Sequence, residues 1–208
     1  MSDRALVVID VQNDFCPGGA LPVAEGDRVV PVINRLSARF QRVVATQDWH
    51  PPGHVSFASS HPGRKPFESI PLASLEGRPQ QLWPEHCLAG SRGAELHPRL
   101  DARPFALIVR KGSRRELDSY SAFFENDRRT PTGLGYYLQG LGVGEVWLAG
   151  LATDVCVYHS AMDALKLGFT VFLVGEACRG IDQPPGSLEE RLAEMRAAGV
   201  RLAGADEA

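Results

Sequence analysis

GLATDVCVYHSAMDALKLG, Gly150 to Gly168, begins where the apolar run VWLAG ends. The run reads as a buried strand. The stretch after it reads as a helix, with Thr153 and Asp154 at its start, apolar residues at helical spacing and a glycine at its end. A strand feeding directly into a helix is the repeating unit of α/β folds. The placement of Cys156 is the informative detail. A cysteine in the first turn of a helix sits among backbone N–H groups without intrahelical partners, at the positive end of the helix dipole. A thiolate is stabilised there and its pKa falls. Taken alone, Cys156 reads equally well as a buried structural thiol.

Working outward, the same alternation runs along the chain. RALVVIDV (Arg4 to Val11), RVVATQDW (Arg42 to Trp49), FALIVRK (Phe105 to Lys111), GEVWLAG (Gly144 to Gly150), FTVFLVGEA (Phe169 to Ala177) and VRLAG (Val200 to Gly204) read as six strands. Helices are expected at Asp27 to Phe40, near Thr132 to Gln139, after Cys156, and from Ser187 to about Ala198. Ser187 and Glu190 form a capping-box pattern at the start of the last helix. About Pro51 to Pro104 reads as one long irregular excursion rich in Pro, Gly and His. The pattern predicts a doubly wound, three-layer α/β/α sandwich around a mostly parallel six-stranded sheet, with residues 1–208 forming a single domain.

Composition narrows the function. The 208 residues are 44% hydrophobic and 23% charged, with a net charge of −3, which gives no reason to expect a nucleic-acid or membrane partner. The start shows no signal-peptide layout and no apolar run is long enough to span a bilayer. Cys16, Cys87, Cys156 and Cys178 lie far apart with no CxxC pair, so a cytoplasmic protein with free thiols is the expectation. Assembly into a homo-oligomer is left open.

In open α/β sheets, ligands bind beyond the carboxyl ends of the strands. The residues there are Asp10, then Asp48-Trp49-His50, then Lys111, then Gly150 leading to Cys156. Singly, an aspartate in such a place is a turn residue and a lysine is a solvated charge. Together they form a reaction centre. Cys156 is the nucleophile, Lys111 supplies a cation, and Asp10 moves protons to and from the reacting groups. Backbone N–H groups of the Ala152 to Cys156 turn can hold an oxyanion. The chemistry is that of a thiol hydrolase acting on an acyl compound, with an amide expected.

A second group lies around the excursion. Asp48 and His50, spaced i, i+2 in an extended stretch, point to one side. LWPEHCLAG supplies His86, with His54 and His61 between. Two imidazoles and a carboxylate suit one divalent ion, zinc first, with iron or manganese also compatible. Histidines in such loops are also commonly plain surface residues. Phe15 and Trp83 accompany the two groups and could flank a flat ring.

VVIDVQNDFCPGGAL (Val7 to Leu21), TQDWHPPGHVSFAS (Thr46 to Ser59), LWPEHCLAGSRGAELHP (Leu82 to Pro98), VRKGSRRELDSYSAFFE (Val109 to Glu125) and GLATDVCV (Gly150 to Val157) resemble the signature blocks of the nicotinamidases, among the isochorismatase-like cysteine hydrolases. The blocks occur in family order over most of the chain. The resemblance implies a triad of Asp10, Lys111 and Cys156, and a metal held by Asp48, His50 and His86, with His54 a further candidate. It implies a cis peptide between Leu151 and Ala152, with the backbone N–H groups of Ala152 and Cys156 as oxyanion donors. It places Phe15 and Trp83 around the substrate ring, with Leu21 and Tyr120, inside two of the blocks, as additional contacts. The implied reaction is deamidation of nicotinamide, and of pyrazinamide, in NAD salvage. The alternatives are an amidase of the same superfamily acting on a carbamoyl or ureido compound, and a non-catalytic metal- or nucleotide-binding module. The latter would be expected to carry GxGxxG in its first turn, and VVIDVQNDF does not.

Overall fold

The computed structural model describes residues 4–208. Among the described residues eight strands are formed: β1 (Arg4–Ile9), β2 (Val43–Asp48), β3 (Ser69–Pro71), β4 (Pro79–Gln81), β5 (Phe105–Lys111), β6 (Glu145–Leu151), β7 (Thr170–Arg179) and β8 (Arg201–Ala203). The helices are α1 (Val29–Ser37), α2 (Leu134–Gly140), α3 (Tyr158–Lys166) and α4 (Ser187–Ala198). Six strands form one sheet in the order β5-β2-β1-β6-β7-β8, and every pair in it is parallel. The expected three-layer sandwich is therefore present. The excursion is less irregular than its composition predicts, because β3 and β4 pair as an antiparallel hairpin.

Alternation along the strands builds the two faces. Ala5, Val7 and Ile9 of β1 join one core with Leu134 and Leu138 of α2, Ala161 and Ala164 of α3, and Met195 of α4. Leu6 and Val8 point the other way, into a core with Val29, Val30, Ile33 and Leu36 of α1. The central strands are buried on both sides, which is why they read as continuous apolar runs. The edge strand β5 instead alternates half-buried with exposed residues until it reaches buried Lys111.

Four local features differ from the sequence expectation for physical reasons. β1 stops at Ile9 and β2 at Asp48 because the chain turns there into the site, leaving Val11 and Trp49 outside the strands. Cys156 does not sit in an ordinary first α-turn. Residues Thr153–Val157 form a π-helical turn, with the Val157 N–H donating to Ala152 O at 3.1 Å, and α3 begins at Tyr158. The capping box at Ser187 does not form either. Gly186 precedes α4 in a left-handed conformation, and Asp182 Oδ1 accepts from the N–H groups of Gly186 and Leu188 at 2.9 and 3.1 Å. Ser187 Oγ donates to Asp154 Oδ2 at 3.2 Å instead.

The cap gives a direct test by chemical unfolding. Asp182→Ala removes the acceptor at the start of α4 and is expected to destabilise the protein by about 1 kcal/mol. Glu190→Ala, which would cost as much if the capping box operated, is expected to change stability by less than about 0.5 kcal/mol. The reverse order of effects would overturn the assignment.

Candidate active site

The sheet order places β5, β2, β1 and β6 side by side, so their carboxyl ends meet. Asp48 lies opposite Lys111 in the β2–β5 ladder, and Ile9 lies opposite Gly150 in the β1–β6 ladder. Asp10 and the Cys156 turn thus leave adjacent strands at the same level. Gly150 is required there: with φ at +127°, a Cβ would stand 2.0 Å from Ile9 O.

Lys111 is 1% exposed and organises the centre. Its Nζ lies 2.8 Å from Asp10 Oδ2 and 2.5 Å from Asp48 Oδ1. It also donates to Ser119 O at 2.9 Å and approaches Cys156 Sγ at 3.6 Å. Asp10 adopts φ +49°, a conformation that costs a non-glycine residue about 1 kcal/mol or more. Thr46 holds it there: its hydroxyl donates to Asp10 Oδ1 at 2.6 Å and accepts the Asp10 N–H at 3.2 Å. Asp10 Oδ2 faces Lys111 at ion-pair distance without hydrogen-bond geometry, which leaves it open to a proton in transit.

The electrostatics refine the expectation for the thiol. Burial pushes the Cys156 thiol well above its ordinary value. Lys111 opposes that rise, while Asp10 and Asp48 add to it. Cys156 therefore rests as a thiol, and the helix start and one cation do not suffice to ionise it. Burial also lifts the Asp10 carboxyl to about 6, against the pull of Lys111. Asp10 is thus a carboxylate at neutral pH and can take the proton. Burial favours a neutral Lys111, but its two carboxylate neighbours outweigh this and hold it charged.

Asp48, His50 and His86 come together in the structure. Asp48 Oδ2 lies 3.7 Å from His50 Nε2 and 3.9 Å from His86 Nε2, and all three residues are buried. Their donor atoms lie within 4.8 Å of one another, as a common metal ion requires. The outer ring atoms are already engaged, His50 Nδ1 with Gly112 O at 2.9 Å and His86 Nδ1 with Pro84 O at 2.8 Å. An N–H directed at a carbonyl leaves the Nε2 lone pair for a metal, which is the outer-shell pattern of imidazole ligands. The donor set fits a divalent ion. Burial and the neighbouring His50 lower His86 to about 4, so it is neutral, as a ligand must be.

His54 takes a different position. Its ring stacks on His50 at 4.2 Å, its Nδ1 meets Ser56 Oγ at 2.7 Å and its Nε2 lies 3.3 Å from Leu117 O. It groups with His50 and Asp118 rather than with Asp48 and His86. Phe57, fully buried, packs edge-on to all three rings at 5.5 to 5.7 Å.

Above these groups is a pocket lined by all four expected contacts, Phe15, Leu21, Trp83 and Tyr120, and by Ala152 and Cys156. It is a narrow pocket, with a cavity volume of about 20 Å³. The peptide between Leu151 and Ala152 is cis. Sequence reasoning passed over Asp118 and Ile181, which also line the pocket. It also passed over Asp14 and Gln12. Asp14 ties two loops of the site together, its carboxylate accepting from Cys87 N at 2.7 Å and Ala20 N at 3.1 Å. Gln12 bridges β1 to β2, with Nε2 donating to Asp48 O and Oε1 accepting from Asp48 N, both at 2.8 Å. Both residues stood inside the VVIDVQNDF block, but Asp48 and Cys87, which they hold, are distant in sequence.

Residues 4–207 match the isochorismatase domain family, and the chain belongs to that family. It is 50% identical to a nicotinamidase of Acinetobacter baylyi over 95% of this chain and 90% of the relative. It is 46% identical to a nicotinamidase of Escherichia coli over 97% and 95%. Among solved structures, the nicotinamidase/pyrazinamidase of Acinetobacter baumanii superposes with a TM-score of 0.95 at 48% identity, covering 100% of this chain and 98% of that one. A pyrazinamidase of Pyrococcus horikoshii in complex with zinc superposes with a TM-score of 0.78 at 35% identity, over 97% and 99%.

The seat of His50 supplies a prediction. At Gly112 φ is +62°, and a Cβ would stand 2.5 Å from His50 Cε1 and 2.7 Å from Nδ1. Gly112→Ala should therefore displace the imidazole and weaken metal retention by about 10- to 100-fold, measured as bound metal after dialysis against a competing chelator. Unchanged retention in the folded variant would show that Gly112 does not orient the ligand.

Proposed function

We infer that this member of the isochorismatase family is a nicotinamidase, a cysteine amidohydrolase acting as one catalytic domain. It converts nicotinamide to nicotinate and ammonia in NAD salvage, and accepts pyrazinamide. The observation that carries this reading is the Lys111 ammonium, within reach of Asp10, Asp48 and Cys156 at once, beneath an aromatic pocket bordered by two imidazoles. The relatives named nicotinamidases along nearly the whole chain support it.

In the proposed reaction the Cys156 proton passes to Asp10, and Sγ attacks the carboxamide carbon with Lys111 beside it to stabilise the developing thiolate. The carbonyl electrons move onto oxygen, where the backbone N–H groups of Ala152 and Cys156 receive them. Asp10 returns the proton to nitrogen as the C–N bond breaks, ammonia leaves and a thioester remains. Water then enters. Asp10 takes its proton, the hydroxide oxygen bonds to carbon, the C–S bond breaks, and sulfur recovers a proton as nicotinate departs. Phe15, Trp83, Leu21 and Tyr120 hold the ring.

Asp48, His50 and His86 would hold a divalent ion, zinc by preference for the zinc-bearing relative and the donor set. When bound, the ion offers a Lewis-acid position to the nitrogen of the substrate ring. An amidase acting on a carbamoyl or ureido compound would have no use for this triplet or for ring-flanking aromatics, so nicotinamide is favoured.

Ammonia release from nicotinamide, pyrazinamide, benzamide and a ureido compound, with metal content measured on the same sample, tests the reading. Preference for the ureido compound would overturn it. Cys156→Ala should fold normally and lose essentially all turnover; more than a few per cent of wild-type activity would rule out the covalent route. Asp10→Asn should fail at both steps. Build-up of the thioester at the normal rate, seen by intact mass, would assign the first proton transfer to another group.

Metal removal should act mainly through ring placement. Chelation, or His50→Ala, is expected to raise KM for nicotinamide while leaving the already poor turnover of benzamide little changed. Asp48→Asn should differ, lowering kcat for both amides, because it also removes a partner of Lys111. Equal loss with both amides on chelation, in protein still folded, would overturn the positioning role.

A further inference from the structure

A second cavity, of about 540 Å³, opens on the far side of Tyr120, the single residue it shares with the catalytic pocket. Its size is that of a small-molecule site rather than of a packing defect. Its charge is the first unusual feature. Arg78, Arg128, Lys166 and Arg191 line it against two carboxyl groups, Glu125 and Asp163, in a chain whose net charge is −3. A positive concavity on a negative protein marks a place for an anion.

Two of the cations, Arg78 and Arg128, make no ion pair among the described residues, and two, Arg191 and Lys166, are paired with carboxylates. Arg78 donates to the carbonyls of Leu75, Asn126 and Asp127 at 3.1 to 3.2 Å, which fixes the guanidinium without cancelling its charge. Arg128 makes no ion pair among the described residues. Arg191 is pre-organised, paired with Glu194 at 2.6 Å and lying over the Tyr158 ring at 4.7 Å. Lys166 is paired with Asp163 at 2.9 Å.

Two further groups are left waiting for partners. Glu125 lines the cavity with its side chain 8% exposed, and its Oε2 has no hydrogen-bond partner in the protein. Burial lifts this carboxyl to about 7, with Arg114 opposing, so near neutrality it can present an O–H to an acceptor. His159 packs against Tyr120 at 5.2 Å and Tyr158 at 5.0 Å, and makes no hydrogen bond among the described residues. Burial lowers it to about 4; Asp163 opposes, and Arg128, Arg191 and Lys166 lower it further. His159 thus shares the lining of this cavity with Arg128, Arg191 and Lys166.

We propose that this cavity binds a phosphate monoester bearing a planar ring, of mononucleotide size, at a site distinct from the catalytic pocket. The phosphate sits among Arg128, Arg191 and Lys166 beside His159, where charge-assisted hydrogen bonds to a dianion are strongest. The Glu125 hydroxyl donates to the same ligand. Phe124 and Met162, also in the lining, give the ring an apolar surface.

Adenosine 5′-monophosphate, adenosine and inorganic phosphate serve as probes, read by calorimetry and by NMR of the histidine rings, with His159→Gln to assign the signal. The nucleotide should bind saturably below millimolar concentration, at least tenfold more tightly than adenosine. It should raise the pKa of His159, because a bound anion offsets the three cations. Arg128→Glu, an exposed position far from the chemistry, should weaken binding by tenfold or more and leave nicotinamide turnover in the absence of nucleotide intact. Arg128→Ala should weaken it less. No saturable binding, equal affinity for adenosine, binding unchanged in Arg128→Glu, or displacement of the nucleotide by nicotinamide without movement of the His159 signal would each overturn the proposal. These readouts do not depend on turnover, so they stand apart from the test of the catalytic reading.

Discussion

The buried Lys111 ammonium is the interaction around which the rest of the structure is arranged. Taking an ion of that size out of water costs several kcal/mol even after the protein relaxes, and removal of one partner from such a cluster typically costs about 3–5 kcal/mol. The cost is met by Asp10, Asp48 and the Ser119 carbonyl together. Those partners come from the residue after β1, the end of β2 and the segment after β5, so the charge can be satisfied only if these strands lie next to one another at the right register. The parallel order β5-β2-β1 provides that. The buried ion cluster and the topology of the sheet are therefore a single constraint, met once.

Asp48 extends the constraint to the metal-ligand group. One of its oxygens contacts Lys111 and the other faces His50 and His86. His50 and His86 approach it from the segment beyond β2, while Asp48 itself ends β2 opposite Lys111. Lys111 and His50 hold Asp48 ionised against the opposing effect of burial, so it remains an acceptor on both sides. A substitution at Asp48 thus cannot be read as a metal-site change alone, whereas one at His50 or His86 comes closer to that.

The features legible in the sequence were those carried by local periodicity. Continuous apolar runs marked the parallel strands, and reactive residues at their carboxyl ends marked Asp10, Asp48, Lys111 and Cys156, since the edge of such a sheet is fixed once its strands are known. Asp48 and His50 were legible for the same reason, being two apart in extended chain. Other features depend on partners far along the chain. Ser187 looked like a cap because Glu190 follows it at the right spacing; the competing acceptor is Asp182, placed by a loop that Asp154 clamps through the N–H groups of Ile181 and Asp182. The upward shift of the Cys156 thiol was not legible either, because it comes from burial and from carboxylates that only the folded sheet brings near.

Much of what supports the site is main chain. Ser119 O receives Lys111, Gly112 O and Pro84 O meet the two imidazoles, and Ala94 O accepts from both Gln12 and Gln47. A carbonyl is present at every residue, so none of these positions declares its role by residue type. What such a position requires is a particular backbone path. That requirement becomes visible in sequence only where the path excludes a side chain, as at Gly112 and Gly150. In the long excursion, the parallel bridge between His50 and Leu88 docks the His86 loop against the end of β2 through main-chain hydrogen bonds. The precision of the site is set by where the chain runs, and the few side chains that do chemistry are placed on that path.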